Sequence, residues 1–196
     1  MLLTTGEGHG AANVSRDGGA ACDGGRNRAY GVRRVMNSVV YGPVPSRRLG
    51  HSLGINNIPP KICNYSCVYC QLGSTTNIRV ERQTLYQPEE IAQGVKHKVT
   101  QVREKNEPID YLTFVPDGEP TLDANLGKEI ELVKPLGIKI AVISNGSLIW
   151  RDDVRQDLRK ADWVSLKVDA VSRCRRINRP QRSLNPEVIM DGIQVC

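Results

Sequence analysis

No apolar run approaches the ~18 residues that a membrane span requires, and the opening Met1-Leu2-Leu3 gives way at once to Thr4, Thr5, Gly6 and Glu7. Neither a membrane anchor nor a signal-peptide core is expected, so the protein reads as soluble and cytoplasmic. An excess of one charge is also missing from most of the chain. The formal net charge is +6, yet residues 173–182 hold five arginines and no acid, and the remainder is close to neutral. A surface built throughout for nucleic acid is therefore disfavoured. Absent too is the spread of cysteines that a secreted disulfide framework uses to close its loops. Three of the six cysteines crowd into residues 63–70, and the others stand alone at 22, 174 and 196. A clustered trio points to metal ligation. Structural zinc usually draws on two separated cysteine pairs, and a second pair is lacking here. A zinc site made of the same trio with His51 remains the rival metal reading.

What is present suits one folded domain with a tail. Hydrophobic residues make up 39% of the chain, and the 18 glycines bring the apolar share to the usual globular value. Residues 1–36 differ from the rest: eight of the 18 glycines fall in the first 35 positions, without apolar periodicity. This leader is expected to be disordered, with Met36 at its junction as an alternative translation start. Residues 37–196 form the domain.

Within the domain, turn signals alternate with periodic segments. Tyr41-Gly-Pro-Val-Pro-Ser46 reads as a turn-rich entry to a strand at Ser52–Ile58, closed by Pro59-Pro60. Pro88 opens a helix with Glu89 and Glu90 in its first turn and Ile91, Val95, Val99 and Val102 on one face. Further strands are expected at Tyr111–Val115, Ile138–Ile143 and Trp163–Asp169. Helices are expected around Leu126–Val133, closed by Gly137, then at Asp152–Ala161 and from Pro186 onward. In the last strand Val164, Leu166 and Val168 form an apolar face and Ser165, Lys167 and Asp169 a polar one. Strands alternating with helices imply parallel pairing through right-handed crossovers. The fold class is α/β, a partial (β/α) barrel. A complete eight-unit barrel needs roughly 200 residues or more, so the barrel is expected to be C-terminally incomplete.

A cubane iron-sulfur cluster takes a thiolate on each iron that the protein holds. Cys63, Cys67 and Cys70, spaced by three and then two residues, can wrap three corners from one loop and leave the fourth iron open. That loop follows the first parallel strand, at the end where parallel α/β proteins place active sites.

The pattern Cys-x-x-x-Cys-x-x-Cys, with Tyr69 just before Cys70, resembles the signature of the radical S-adenosylmethionine (radical SAM) enzymes. Tyr41-Gly-Pro-Val-Pro-Ser-Arg-Arg-Leu-Gly50 and Ser52-Leu-Gly-Ile-Asn56 resemble a branch related to the wyosine tRNA-modification enzymes. The likeness runs from about Tyr41 to the end. Asp117-Gly118-Glu119-Pro120 resembles the Gly-Gly-Glu-Pro segment that in this superfamily holds the amino group of S-adenosylmethionine, with Asp117 where the family has glycine. The resemblance implies a [4Fe-4S] cluster on Cys63, Cys67 and Cys70 whose open iron chelates S-adenosylmethionine. It implies reductive cleavage to a 5′-deoxyadenosyl radical that attacks a substrate, and a flavodoxin- or ferredoxin-like electron donor. By position, Tyr69 meets the adenine, Gly118 and Glu119 the amino group, and Ser144 and Asn145 the methionine or ribose. Asp169 meets the ribose hydroxyls, and Lys167 or Arg179 the carboxylate. Candidate substrates are tRNA, whose phosphates suit the arginine cluster, and a glycyl-radical partner protein. The competing class is a zinc-stabilised nucleic-acid-binding module. Cys22, Cys174, Cys196, His9 and His97 have no partner at ligand spacing.

Overall fold

The computed structural model describes residues 39–169 and 173–194, so the expected leader lies outside the described residues. Its centre is a five-stranded sheet in which four neighbouring strands run parallel. These are β2 (Gly50–Ile55), β5 (Tyr111–Phe114), β6 (Lys139–Ser144) and β7 (Trp163–Leu166), in that spatial order. The β2–β5 and β5–β6 registers align Leu53, Leu112 and Ile140, each fully buried. Near-continuous burial of Leu53 to Ile55 and Leu112 to Phe114 is what a parallel sheet covered on both faces demands.

The segment expected as a turn-rich entry is a strand, β1 (Val40–Ser46), antiparallel to β2 at the sheet edge. Two prolines are tolerated there because an edge strand needs donors on one side only. The pairing slips between Tyr41 and Val44, and Gly42 absorbs the slip at φ +97°, a conformation that favours glycine.

Between the parallel strands run the expected helices. In α1 (Pro88–Glu104), Ile91, Val95, Val99 and Val102 are all buried against the sheet, each worth roughly 1.5–3 kcal/mol of burial. Next come α2 (Leu126–Val133), continued by a 3₁₀ turn at Lys134–Leu136, and α3 (Asp152–Leu158). The last two are α4 (Cys174–Ile177), which the sequence did not announce, and α5 (Pro186–Gln194). Among the described residues no helix is long and apolar enough to cross a membrane.

The final strand is shorter than expected. Pairing with β6 ends at Ser144↔Leu166, one more backbone bond joins Lys167 N–H to Ser144 O at 2.8 Å, and the chain then leaves the sheet. Val168 is accordingly 46% exposed instead of sharing the covered face of Val164 and Leu166.

Candidate active site

The cysteine loop is pinned on three sides. Its first residue belongs to a two-residue strand, β3 (Ile62–Cys63), paired in parallel with β4 (Asn77–Ile78). Its inner side rests on the turn after β5, where Lys61 N–H donates to Asp117 O at 2.7 Å and Glu119 N–H to Ile62 O at 3.2 Å. Gly118 is required at that crossing: a Cβ there would sit 2.0 Å from the Ile62 carbonyl oxygen. Asp117, where the resembling segment has glycine, is held by its N–H on Asn56 Oδ1 at 3.0 Å and is not among the positive-φ residues. The outer side is strapped to residues 177–181. Ser66 N–H donates to Asn178 O at 3.0 Å, Val68 N–H to Ile177 O at 2.9 Å, and Gln181 N–H to Asn64 O at 2.8 Å.

Cys63, Cys67 and Cys70 line one cavity of about 520 Å³ beyond the carboxyl ends of the parallel strands. One wall is buried and densely hydrogen-bonded. Glu119, 1% exposed, caps the 3₁₀ turn Pro120–Leu122. Its Oε1 accepts from Thr121 N–H at 3.1 Å, Thr121 Oγ1 at 2.6 Å and Ser144 Oγ at 2.7 Å. Oε2 accepts only from Asn145 N–H, at 2.8 Å, so of the roughly four acceptor positions a carboxylate offers one on Oε2 stays open. Burial raises the Glu119 pKa against the opposing pull of these donors. Burial, and then the nearby Glu119, push the Cys63 thiol up to about 12.

The opposite wall is open. The Tyr69 ring, 42% exposed, donates its hydroxyl to Asp169 and carries Lys167 Nζ 4.7 Å from its centroid. Burial and the Asp169 bond both raise the tyrosine pKa. Lys167 Nζ lies 3.9 Å from Asp169 Oδ2. Asn178 ties this open wall to the cysteine loop: it is 3% exposed, and its Nδ2 lies 3.0 Å from Tyr69 Oη and 3.6 Å from Cys67 Sγ.

The structure therefore brings together Tyr69, Gly118, Glu119, Ser144, Asn145, Lys167 and Asp169 with the three cysteines. Arg179 is the exception. Its side chain is exposed and does not line this cavity, because the strap turns at φ +47° there and presents Asn178 inward instead. Of the arginine cluster, Arg173, Arg175 and Arg176 border a separate groove of about 600 Å³ with Asn185 and Pro186. His51 is also elsewhere. It lies near the start of β2 against Asp110, at the opposite end of the strand from the cysteine loop, so it does not complete a zinc site.

The three thiols fit a cluster better than a single ion. Among the described residues no three His, Cys, Asp or Glu side chains converge as ligands of one metal ion. Three thiols spread around a roomy cavity suit separate irons of a cubane instead. Glu119, with one acceptor position on Oε2 unfilled, and the exposed Tyr69 both line that cavity.

Known proteins share much of this sequence and its fold. Residues 57–196 match the family model of the radical SAM superfamily. The sequence is 53% identical over 158 residues to the UPF0026 protein MJ1312 of Methanocaldococcus jannaschii, covering 80% of this chain and 49% of that protein. A UPF0026 protein of Helicobacter pylori is 36% identical, over 79% of this chain and 50% of its own length. The chain thus spans about half the length of these curated relatives. The fold is similar to that of TYW1 in its structure with a lysine-pyruvate adduct bound, with a TM-score of 0.53 and 18% identity over 74% of this chain and 51% of that one.

Proposed function

The chain belongs to the radical SAM superfamily of enzymes, whose cofactors are a [4Fe-4S] cluster and S-adenosylmethionine, and on that footing we propose that Cys63, Cys67 and Cys70 hold the cluster for attack on a phosphate-bearing substrate, tRNA first. When bound, the reduced cluster supplies the electron that cleaves S-adenosylmethionine into methionine and a 5′-deoxyadenosyl radical. The observation that carries the reading is the opening of all three cysteines and Glu119 onto one cavity at the carboxyl ends of the parallel strands.

Each residue has a task that its surroundings support. Glu119 Oε2 accepts from the amino group through its remaining lone pair. Ser144 and Asn145 hold Glu119 in place and border the methionine side. Gly118 lets the cysteine strand close onto the Glu119 turn. Tyr69 offers its ring face to the adenine, Asp169 accepts from ribose hydroxyls, and Lys167 Nζ meets the carboxylate. Arg173, Arg175 and Arg176, which have no ion pair among the described residues, take substrate phosphates in the separate groove that they border. The electron donor is flavodoxin- or ferredoxin-like, in keeping with a reducing cytoplasmic setting.

Anaerobic reconstitution tests this. About four irons with matching sulfide per chain, and cleavage of S-adenosylmethionine that rises on adding tRNA, are expected. One zinc without sulfide overturns the enzyme reading. Cleavage that responds to a glycyl-radical partner protein and ignores tRNA overturns the substrate.

A further inference from the structure

Two side-chain amides from distant parts of the chain point at two different cysteines. Asn145, just after β6, places Nδ2 3.7 Å from Cys63 Sγ, and Asn178, in the strap after α4, places Nδ2 3.6 Å from Cys67 Sγ. The backbone N–H of Tyr65 adds a second donor to Cys63 Sγ at 3.4 Å. Among the described residues no donor is directed at Cys70 Sγ.

The direction of both amides is set by their other partners. Asn145 Oδ1 accepts from Ser147 N–H at 2.9 Å, which forces its NH₂ toward Asn64 Oδ1, 2.8 Å away, and Cys63 Sγ. Its two hydrogens thus meet two acceptors. Asn178 Nδ2 lies 3.5 Å from the Asp169 carboxylate, an acceptor only, so a reversed amide would set oxygen against oxygen. Asn178 itself is 3% exposed, so its amide is held by these partners and not by bulk water.

Hydrogen bonds to cluster sulfurs are one of the means by which proteins set iron-sulfur reduction potentials. Reduction adds one electron, supplied by the external one-electron donor, and raises the negative charge shared by the thiolates. A donor to Sγ therefore stabilises the reduced state more than the oxidised one. We propose that Asn178 and Asn145 donate their side-chain N–H groups to the cluster-bearing sulfurs of Cys67 and Cys63 and so raise the cluster's reduction potential. This rests on the cysteine ligation proposed above. Asn178 is a tuning residue acting through Cys67, distinct from the groups that meet S-adenosylmethionine.

The test is a redox titration of the reconstituted 196-residue protein, followed by cluster absorption and electron paramagnetic resonance, with iron counted in each sample. Asn178→Leu is expected to keep four irons and to shift the potential negative by about a tenfold change in the equilibrium constant, the size of one hydrogen bond to a charged acceptor and equal to about 59 mV for one electron. Asn178→Asp, which keeps the volume and replaces a donor with an acceptor, is expected to shift it further the same way. Tyr69→Phe removes a hydroxyl that bonds Asn178 and Asp169 and lies beside Cys67 but leaves both amides in place, so it is expected to shift the potential less than Asn178→Leu. A wild-type potential in Asn178→Leu, or a full shift reproduced by Tyr69→Phe, overturns the proposal. Where Asn178→Leu takes up no cluster, Asn178→Asp decides by the same criterion, and loss of cluster from both makes Asn178 structural and overturns tuning. A wild-type protein without iron and sulfide overturns the functional reading instead, whereas an intact cluster at an unshifted potential overturns the amide assignment alone.

Discussion

The two walls of the cavity are built on opposite plans. On the Glu119 side a buried carboxylate is held by a dense set of hydrogen bonds: it gathers four donors, two backbone N–H groups and two hydroxyls, from the Pro120–Leu122 turn and the end of β6. On the Tyr69 side a ring, an amine and a carboxylate meet one another at the edge of solvent, on a loop that has already left the sheet. The first wall is fixed before anything binds, because releasing a buried carboxylate from its donors costs more than any one ligand contact returns. The second holds groups that can be rearranged cheaply, since exposed pairs are each worth little. A preformed grip beside an adjustable one suits a large ligand that enters through the open side.

Removing what both walls share has the largest effect. Cys67→Ala is expected to abolish the brown cluster absorption and reductive cleavage of S-adenosylmethionine together, while the Glu119 side stays folded. Retention of both by anaerobic spectroscopy and product analysis refutes the ligand assignment. Next is the buried wall itself. Glu119→Ala strands Thr121, Ser144 and two backbone N–H groups, and a loss of about 2–4 kcal/mol is expected in denaturant unfolding of the apoprotein. A loss below 1 kcal/mol would make this wall as soft as the other.

The ground beneath that wall is pH-sensitive. Asp123, which ends the Pro120–Leu122 turn, and Glu129 of α2 are both buried, and Asn57 lies beside them, donating from Nδ2 to Pro120 O at 3.3 Å. Burial, and then the Asp123 charge, push Glu129 up to about 9. The folded protein thus keeps a proton that the unfolded chain releases near the ordinary value of 4.5. The stability linked to Glu129 is fully present below that value and is lost as the pH rises toward about 9. Unfolding at pH 6 and pH 8.5 is expected to differ by about 3 kcal/mol in the wild type, and Glu129→Gln is expected to flatten this slope. An unchanged slope in the variant places the effect elsewhere.

How much of this contrast could be read in advance follows from what is local. The cysteine spacing, the Glu119 turn and the α1 face are written in short stretches, where period and ligand spacing act directly. β1 was hidden because Gly42, Pro43 and Pro45 are turn residues in isolation, and only pairing with β2 makes them an edge strand. Asn178 was hidden for a stronger reason. The strap's contacts with the cysteine loop span about 110 residues of sequence, and nothing nearby announces them. Charge drew attention to Arg179, while the register that decides which neighbour faces inward is set by the bonds of Ser66 and Val68. The length of β7 was misjudged likewise, because alternation continues to Asp169 after the partner strand has ended at Ser144.

The smallest effect belongs to the open wall, and it tests the contrast most finely. Lys167 Nζ sits over the Tyr69 ring and near Asp169 with about half of its side chain in solvent. Lys167→Met keeps the stem that packs on the ring and removes only the charge. Since an exposed cation–π contact and an exposed ion pair each fall at or below about 1 kcal/mol, the apoprotein is expected to unfold within about 0.5 kcal/mol of wild type. Affinity for S-adenosylmethionine, measured by equilibrium binding to the reconstituted protein, is expected to fall several-fold if Lys167 makes the charge-assisted bond to the carboxylate proposed for it. Such a split between affinity and stability is available only to a wall that is not part of the core. If Lys167→Met destabilises the apoprotein as much as Glu119→Ala, the two walls are mechanically one, and the open side is as fixed as the buried one.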